Sequence, residues 1–206
     1  MTSPQFPDPE ASFEQGLLII ERHGDELDLA ERHFDAALRG PDPQMPWRVA
    51  QAWSYAADGR AASMMRRAVA ALNPPPGITV DPGLLPVITS DDGCYALWQD
   101  WSVTVQAEDR GRTVAALEAA RKRLPFTSHD GRELTREQYD TALATESDFY
   151  NPNFVGIENK DGTPPRIWLD CKDGVYPLLA REVIRIVIEE LLAAGVSRAT
   201  LRTPAG

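Results

Sequence analysis

The sequence predicts an α+β fold, with a helical-hairpin N-terminal part packed with a C-terminal ferredoxin-like α/β sandwich. Three observations lead there. Apolar residues recur at helical three-and-four spacing as far as Leu72, the block Pro74-Pro75-Pro76-Gly77 ends that pattern, and the stretch beyond Asn153 reads hairpin, helix, strand. The chain therefore divides into a flexible arm at residues 1–10, a helical part at 11–75 and a sandwich part at 76–206. With 206 residues it is long enough to bury a full core without a disulfide or metal staple.

The arm is rich in proline and has no periodicity. From Ser12 a helical stripe runs through Phe13, Leu17, Ile20, Leu27, Phe34 and Leu38. Gly24-Asp25 interrupts it, so the reading is a kinked helix or two helices, the second capped by Asp25 and ended by Gly40. Trp47, Ala50, Trp53 and Ala57 mark a further amphipathic helix that stops at Asp58-Gly59, and Arg60 to Leu72 carries Met64, Ala68 and Leu72 on one face. An offset of 34 residues lays Phe34 over Ala68 and Ala37 over Ala71. That periodicity is the generic spacing of helix-hairpin packing, because two units fall short of a solenoid.

Beyond the proline block, Ile78 to Val80 and Val87 to Thr89 read as short strands, followed by strand-like runs at Cys94 to Trp98 and Trp101 to Ala107. A helix is expected from Gly111 to Leu124 with Val114, Leu117, Ala120 and Leu124 inside, and a capping box at Thr135 to Gln138 opens a short helix reaching Ala144. Phe154 to Glu158 and Arg166 to Cys171 form a hairpin around an Asp-Gly and double-proline loop. The last helix spans Tyr176 to Ala194, stops at Gly195, and precedes a strand at Ser197 to Arg202. An internal echo aligns Val103, Val105 and Ala107-Glu108-Asp109 with Ile167, Leu169 and Cys171-Lys172-Asp173, so strand and helix occur twice in the same order.

Charge excludes whole classes of partner. The formal charge is −10, and the densest basic run, Arg121-Lys122-Arg123, sits where it complements a helix C-terminus. No basic stripe exists to neutralise phosphates or an anionic bilayer, so neither nucleic acid nor membrane is expected as a partner. The N-terminus lacks a basic-then-apolar leader, so a cytoplasmic location is expected. Cys94 and Cys171 lie among apolar residues and read as buried thiols.

Candidate chemistry is sparse. Glu-Arg-His-x-Asp occurs at Glu21 and again at Glu31, but on one continuous helix ten residues place His23 and His33 about 15 Å apart along the axis, too far for one ion; only a tight reversal at Gly24 would bring them together, and solvated helix faces explain the same residues. Neither a metal nor a cofactor is expected. Asp170, Asp173, Glu158 and Asp161 are candidates to gather where the hairpin meets the last helix. They lack the spacing of a calcium loop, and turn formation and capping already account for Asp161 and Asp173. Ser128-His129-Asp130 puts three polar groups in one loop without triad geometry. The weak catalytic candidates are therefore Asp170, Asp173, Glu158 and His129. Nucleotide-binding, serine-hydrolase and zinc-protease motifs are absent from the sequence. Trp47, Trp53, Trp98, Trp101 and Trp168 serve either core packing or an aromatic cleft between the two parts.

The reading that follows is a non-catalytic cytoplasmic binding or regulatory protein, an acidic partner or immunity-type inhibitor for a basic protein surface. The alternative is a small-molecule enzyme using Asp170, Asp173 and Glu158 at a sheet edge.

Overall fold

The computed structural model describes residues 8–22, 26–56, 60–81, 100–124, 126–127, 133–134, 154–170 and 177–203. In chain order the elements are α1 (Pro9–Glu21), α2 (Leu27–Ala37), α3 (Met45–Tyr55), α4 (Arg60–Ala70), β1 (Ile78–Asp81), β2 (Asp100–Gln106), α5 (Arg110–Arg123), β3 (Phe126–Thr127), β4 (Glu133–Leu134), β5 (Phe154–Glu158), β6 (Arg166–Asp170), α6 (Pro177–Ala193) and β7 (Ala199–Arg202). The expected strands at Val87 to Thr89 and Cys94 to Trp98, and the helix at 135–144, lie outside the described residues.

The first helix begins inside the expected arm. Asp8 accepts a hydrogen bond from the Glu10 backbone N–H at 3.1 Å, and Pro9 stands in the first helical position, where its missing N–H costs nothing. Two helices, rather than one kinked helix, follow from the Gly24 region, and the residue at the start of α2 is Glu26, which makes no side-chain cap. The buried side of the pair is narrower than the apolar stripe suggested. Ser12, Phe13 and Gly16 of α1 meet Ala30, Phe34 and Ala37 of α2, while Leu17 and Ile20 are only half covered. Gly16 explains the closeness: a Cβ there would come within 2.6 Å of the Phe34 ring. Phe34 in turn packs edge-on against Trp53 of α3, with ring centroids 5.2 Å apart.

α1 packs on α2 and α3 on α4, and α1 also touches α3. Arginines of the second pair bind acids of the first. Arg48 lies 4.1 Å over the Phe13 ring and donates to both Glu10 carboxylate oxygens at 2.7 and 2.6 Å. Arg60 sits 4.9 Å from the Trp53 ring and reaches Asp28 at 3.0 Å and Glu31 at 3.4 Å.

The main sheet has five strands in the order β1-β7-β2-β6-β5. β1 runs parallel to β7; every other neighbour pair is antiparallel. It follows that β2 and β5 are parallel with β6 between them, and that β6 and β7 are parallel with β2 between them. Among the described residues each of those crossovers carries one helix, α5 or α6, and the two helices pack on each other. β3 and β4 form a separate two-stranded ribbon.

Alternation along the strands sends Val103, Val105, Ile167, Leu169 and Leu201 into the core, each at 1% exposure or less. They meet Ala116, Leu117 and Ala120 of α5 and Val183, Ile184, Val187 and Leu191 of α6, all buried. Full burial of each larger aliphatic side chain is worth roughly 1.5–3 kcal/mol against leaving it in water. The expected α5 stripe holds at Leu117, Ala120 and Leu124, but at its first position Thr113 is buried and Val114 half exposed, and the Thr113 hydroxyl donates to the Asp109 carbonyl at 2.7 Å. Gly195, at φ +76°, ends α6, with its N–H bonding the Leu192 carbonyl and that of Val196 bonding the Leu191 carbonyl. The two parts of the chain meet where α3 packs on α6 and α4 on β1.

Two expectations follow. Gly16→Ala should destabilise by about 1–3 kcal/mol through overpacking against Phe34, and Gly16→Ala with Phe34→Leu should cost less than the two single changes added. Urea unfolding of the three variants checks this; strict additivity would show that the two residues do not press on each other. At the α5 corner the Asp109 carboxylate accepts from the Arg112 N–H at 2.9 Å. Asp109→Ala should therefore cost about 1 kcal/mol in thermal unfolding, while Asp109→Asn, which also caps, stays near neutral.

Candidate functional site

Glu158 and Asp170, two of the carboxylates singled out by sequence, do not come together. Glu158 ends β5 and Asp170 ends β6, but in the antiparallel pairing Glu158 faces Arg166 while Asp170 faces Phe154. The two acids stand at opposite ends of the hairpin, four residue steps or about 13 Å apart. Asp173 and His129 lie outside the described residues, as do Cys94, Cys171, Trp98 and His23.

Glu158 is committed to cations. It pairs with the Lys160 ammonium and accepts from Arg166 Nε at 2.6 Å. These two bonds, that of Lys160 first, hold its carboxyl below the usual glutamate range, the opposite of what a proton donor at neutral pH requires. Asp161 lies exposed in the loop between β5 and β6. That loop is clamped by Arg110 of α5, which donates to the Thr163 carbonyl at 2.6 Å, the Asn159 side chain at 2.5 Å and the Lys160 carbonyl at 2.7 Å. Among the described residues no group of three or more His, Cys, Asp or Glu side chains is placed to hold a metal ion.

Asp170 has a neighbour that sequence reading missed. The register of β2 on β6 sets Asp100 opposite it, at the end of the sheet away from the clamped loop. Only the register reveals this pair, since 69 residues separate the two positions in the chain.

The tryptophans divide in the same plain way. Trp47, Trp53 and Trp101 are at most 1% exposed and belong to the core. Trp168 lies on the other side of the sheet, opposite Gly156 of β5, where a Cβ would stand 2.3 Å from the indole. The ring therefore covers the glycine backbone directly.

Comparison of the chain with protein-family models, curated proteins and solved structures finds no match. The surface itself has to speak.

Its strongest feature is an uneven partition of charge in the helical part. Residues 8–42 carry ten acids against three arginines, whereas residues 45–70 carry four arginines against one acid. Glu10, Asp28, Glu31 and Asp42 turn to Arg48 and Arg60. Glu21, Glu26 and Asp35 are exposed and have no ion-pair partner among the described residues; Glu14, also exposed, acts on Arg48 through space only. On α5 and α6 the acids are matched locally. Arg123 binds Glu189 at 2.8 Å and also Glu190, and Arg185 binds Glu182 and Glu189. Arg123 thus ties α5 to α6, while Arg121 binds Glu118 of its own helix. No helix among the described residues is long and apolar enough to cross a membrane.

The lowered Glu158 proton affinity has a defined sign. A carboxyl held more acidic when folded than when unfolded adds stability above its unfolded midpoint, and loses it as pH falls through the folded one. NMR titration of the Glu158 side chain should find its midpoint below that of an ordinary glutamate, and Arg166→Gln should raise it. The stability difference between wild type and Glu158→Gln should be present at neutral pH and vanish in acid. A midpoint unchanged by Arg166→Gln would show that the ion pair does not form in solution.

Proposed function

We propose that this chain is a non-catalytic binding or regulatory protein of the immunity or partner type, whose α1–α2 pair meets a basic protein surface. The observation that carries the reading is the charge partition: ten acids against three arginines over residues 8–42, with Glu14, Glu21, Glu26 and Asp35 left outside the internal ion pairs. A field of one sign on one face steers encounter with an oppositely charged partner and selects against wrong ones. The arginines that hold the pair from beneath keep those acids on a rigid platform.

We infer further that the sandwich part is ferredoxin-like, with β1 added at one edge. In support, β7-β2-β6-β5 is the order of four antiparallel strands in which both crossovers carry a helix. In this reading the sandwich is a scaffold and the helical part the recognition element.

A second reading has one observation in its favour. The facing of Asp100 and Asp170 gives the carboxylate enzyme a pair at a sheet end, although Glu158 is no part of it.

Affinity capture on immobilised protein separates the two. Wild type should retain a basic protein that salt elutes, the reversal Glu14→Lys, Glu21→Lys, Glu26→Lys should lose it, and the control Glu108→Lys, Asp161→Lys should keep it. Equal retention by the α1–α2 variant would overturn the proposal. A small-molecule turnover abolished by Asp170→Asn would establish the alternative.

A further inference from the structure

A groove separate from the acidic helices lies between the connection after α4 and the outer side of α6. It has a volume of about 290 Å³, with Leu72, Pro74, Pro75, Ile184, Ile188 and Leu192 as its apolar walls. That is the lower end of the size range of small-molecule sites. Ile184 is fully buried, whereas Leu192 is 42% exposed, the highest value for a large apolar side chain among the described residues. The groove therefore has a packed floor and an open wall that still faces water.

Three charged residues complete the rim: Arg181, Arg185 and Glu189. Two of them are already engaged. Arg185 binds Glu182 and Glu189, and Glu189 also accepts from Arg123 at 2.8 Å. Arg181 is half buried and makes no hydrogen bond or ion pair with a described residue. Its sequence neighbour Glu182 is held by the Arg185 side chain instead. Arg181 acts on Glu182 through space only, so this half-covered guanidinium on the groove lining, with no hydrogen bond among the described residues, has its fork of donors available to an occupant.

We infer that this groove binds a small monocarboxylate with a compact apolar body, the carboxylate pairing with Arg181 and the body lying against Leu72, Ile188 and Leu192. The charges select the class. A cation would meet Arg181 and Arg185, a neutral apolar molecule would leave Arg181 unpaired beside it, and a dicarboxylate would press its second charge against leucine and proline. Planar carboxylate suits the guanidinium fork, and burial of the apolar body strengthens the pair by excluding water from it. Because one wall belongs to the connection leaving the helical part and the other to α6, an occupant also holds those two elements together.

The full chain can be titrated with phenylacetate and octanoate as probes and phenylacetamide as the neutral isostere, read by ligand-observed NMR and by thermal shift. Both carboxylates should bind and raise the melting temperature with concentration, as a native-state ligand must. Phenylacetamide should bind at least about tenfold more weakly. Arg181→Gln should bring phenylacetate down to the level of the amide without moving the melting temperature of the unliganded protein, and Leu192→Glu should abolish binding of both. Arg181→Lys should recover part of the loss, which separates a charge role from a folding defect. Equal affinity for phenylacetate and phenylacetamide, indifference to both Arg181→Gln and Leu192→Glu, or no binding in the millimolar range would each overturn the inference.

Discussion

The pairing of β2 with β6 is the constraint on which the rest of the fold depends. Val103 faces Ile167 and Trp101 faces Leu169 at the centre of the five-stranded sheet, and each strand is followed by a crossover helix that returns over the same buried side chains. Because β2 separates β6 from β7, and β6 separates β2 from β5, neither crossover can close unless the central pair has formed. The contact of α5 with α6 is a consequence of that interleaving. Arg123, in the last turn of one helix, then reaches Glu189 and Glu190 of the other. A one-residue slip of β2 on β6 would turn Val103 and Val105 out of the core and carry both helices with them.

The helical part is held by a different kind of interaction. Its aromatic residues, Phe13, Phe34 and Trp53, supply buried area, but what orients one pair of helices on the other is two arginines that lie on aromatic faces while binding carboxylates across the gap. Exposed ion pairs contribute little on average. Here the guanidinium of Arg48 is partly covered, bidentate and stacked, which restricts it to one geometry. Glu10, Asp28 and Glu31 are consumed in this way, whereas Glu14, Glu21, Glu26 and Asp35 stay exposed outside the ion pairs of the described residues, with Arg22 and Arg32 exposed among them.

How much of this is legible in the sequence depends on the range of the interaction that decides it. Local rules succeeded where local chemistry decides. Asp109 caps α5, Gly195 stops α6, the Asp-Gly loop turns β5 into β6, and the basic run closes α5. The echo between Val103 and Ile167 marked the two strands that pair at the centre of the sheet, since both are followed by a crossover helix and both face the same core. Local rules were off by a few residues where packing overrides periodicity. A glycine at position 16 and alanines at 30 and 37 allow backbones to approach, so the buried line of α1 and α2 runs through small residues and leaves Leu17 and Ile20 half covered. Composition places Pro9 in the arm, whereas its position after Asp8 makes it a helix start.

Sites were the least legible, because a site is a matter of register and sequence shows only spacing. Glu158, Asp170 and Asp173 fall within 16 positions of each other, which suggested a cluster. An antiparallel hairpin does the reverse with residues so spaced: Glu158 stands beside its loop and Asp170 beside its open end. The neighbour of Asp170 is Asp100, from a strand on the far side of a crossover. The charge of −10 hid the more telling fact in the same manner, since a total says nothing about which acids are already matched. Once Arg48 and Arg60 are seen to bind Glu10, Asp28 and Glu31, and Arg123 and Arg185 to bind the glutamates of α6, four of the acids still outside an ion pair, Glu14, Glu21, Glu26 and Asp35, fall on or beside α1 and α2. The opposite case, a cation beside apolar walls with no hydrogen bond or ion pair among the described residues, occurs at Arg181. Both features stand beside neighbours whose charges are paired inside the fold, Glu10, Asp28 and Glu31 in one case and Glu182, Arg185 and Glu189 in the other, and that contrast is what singles them out as surfaces available to something else.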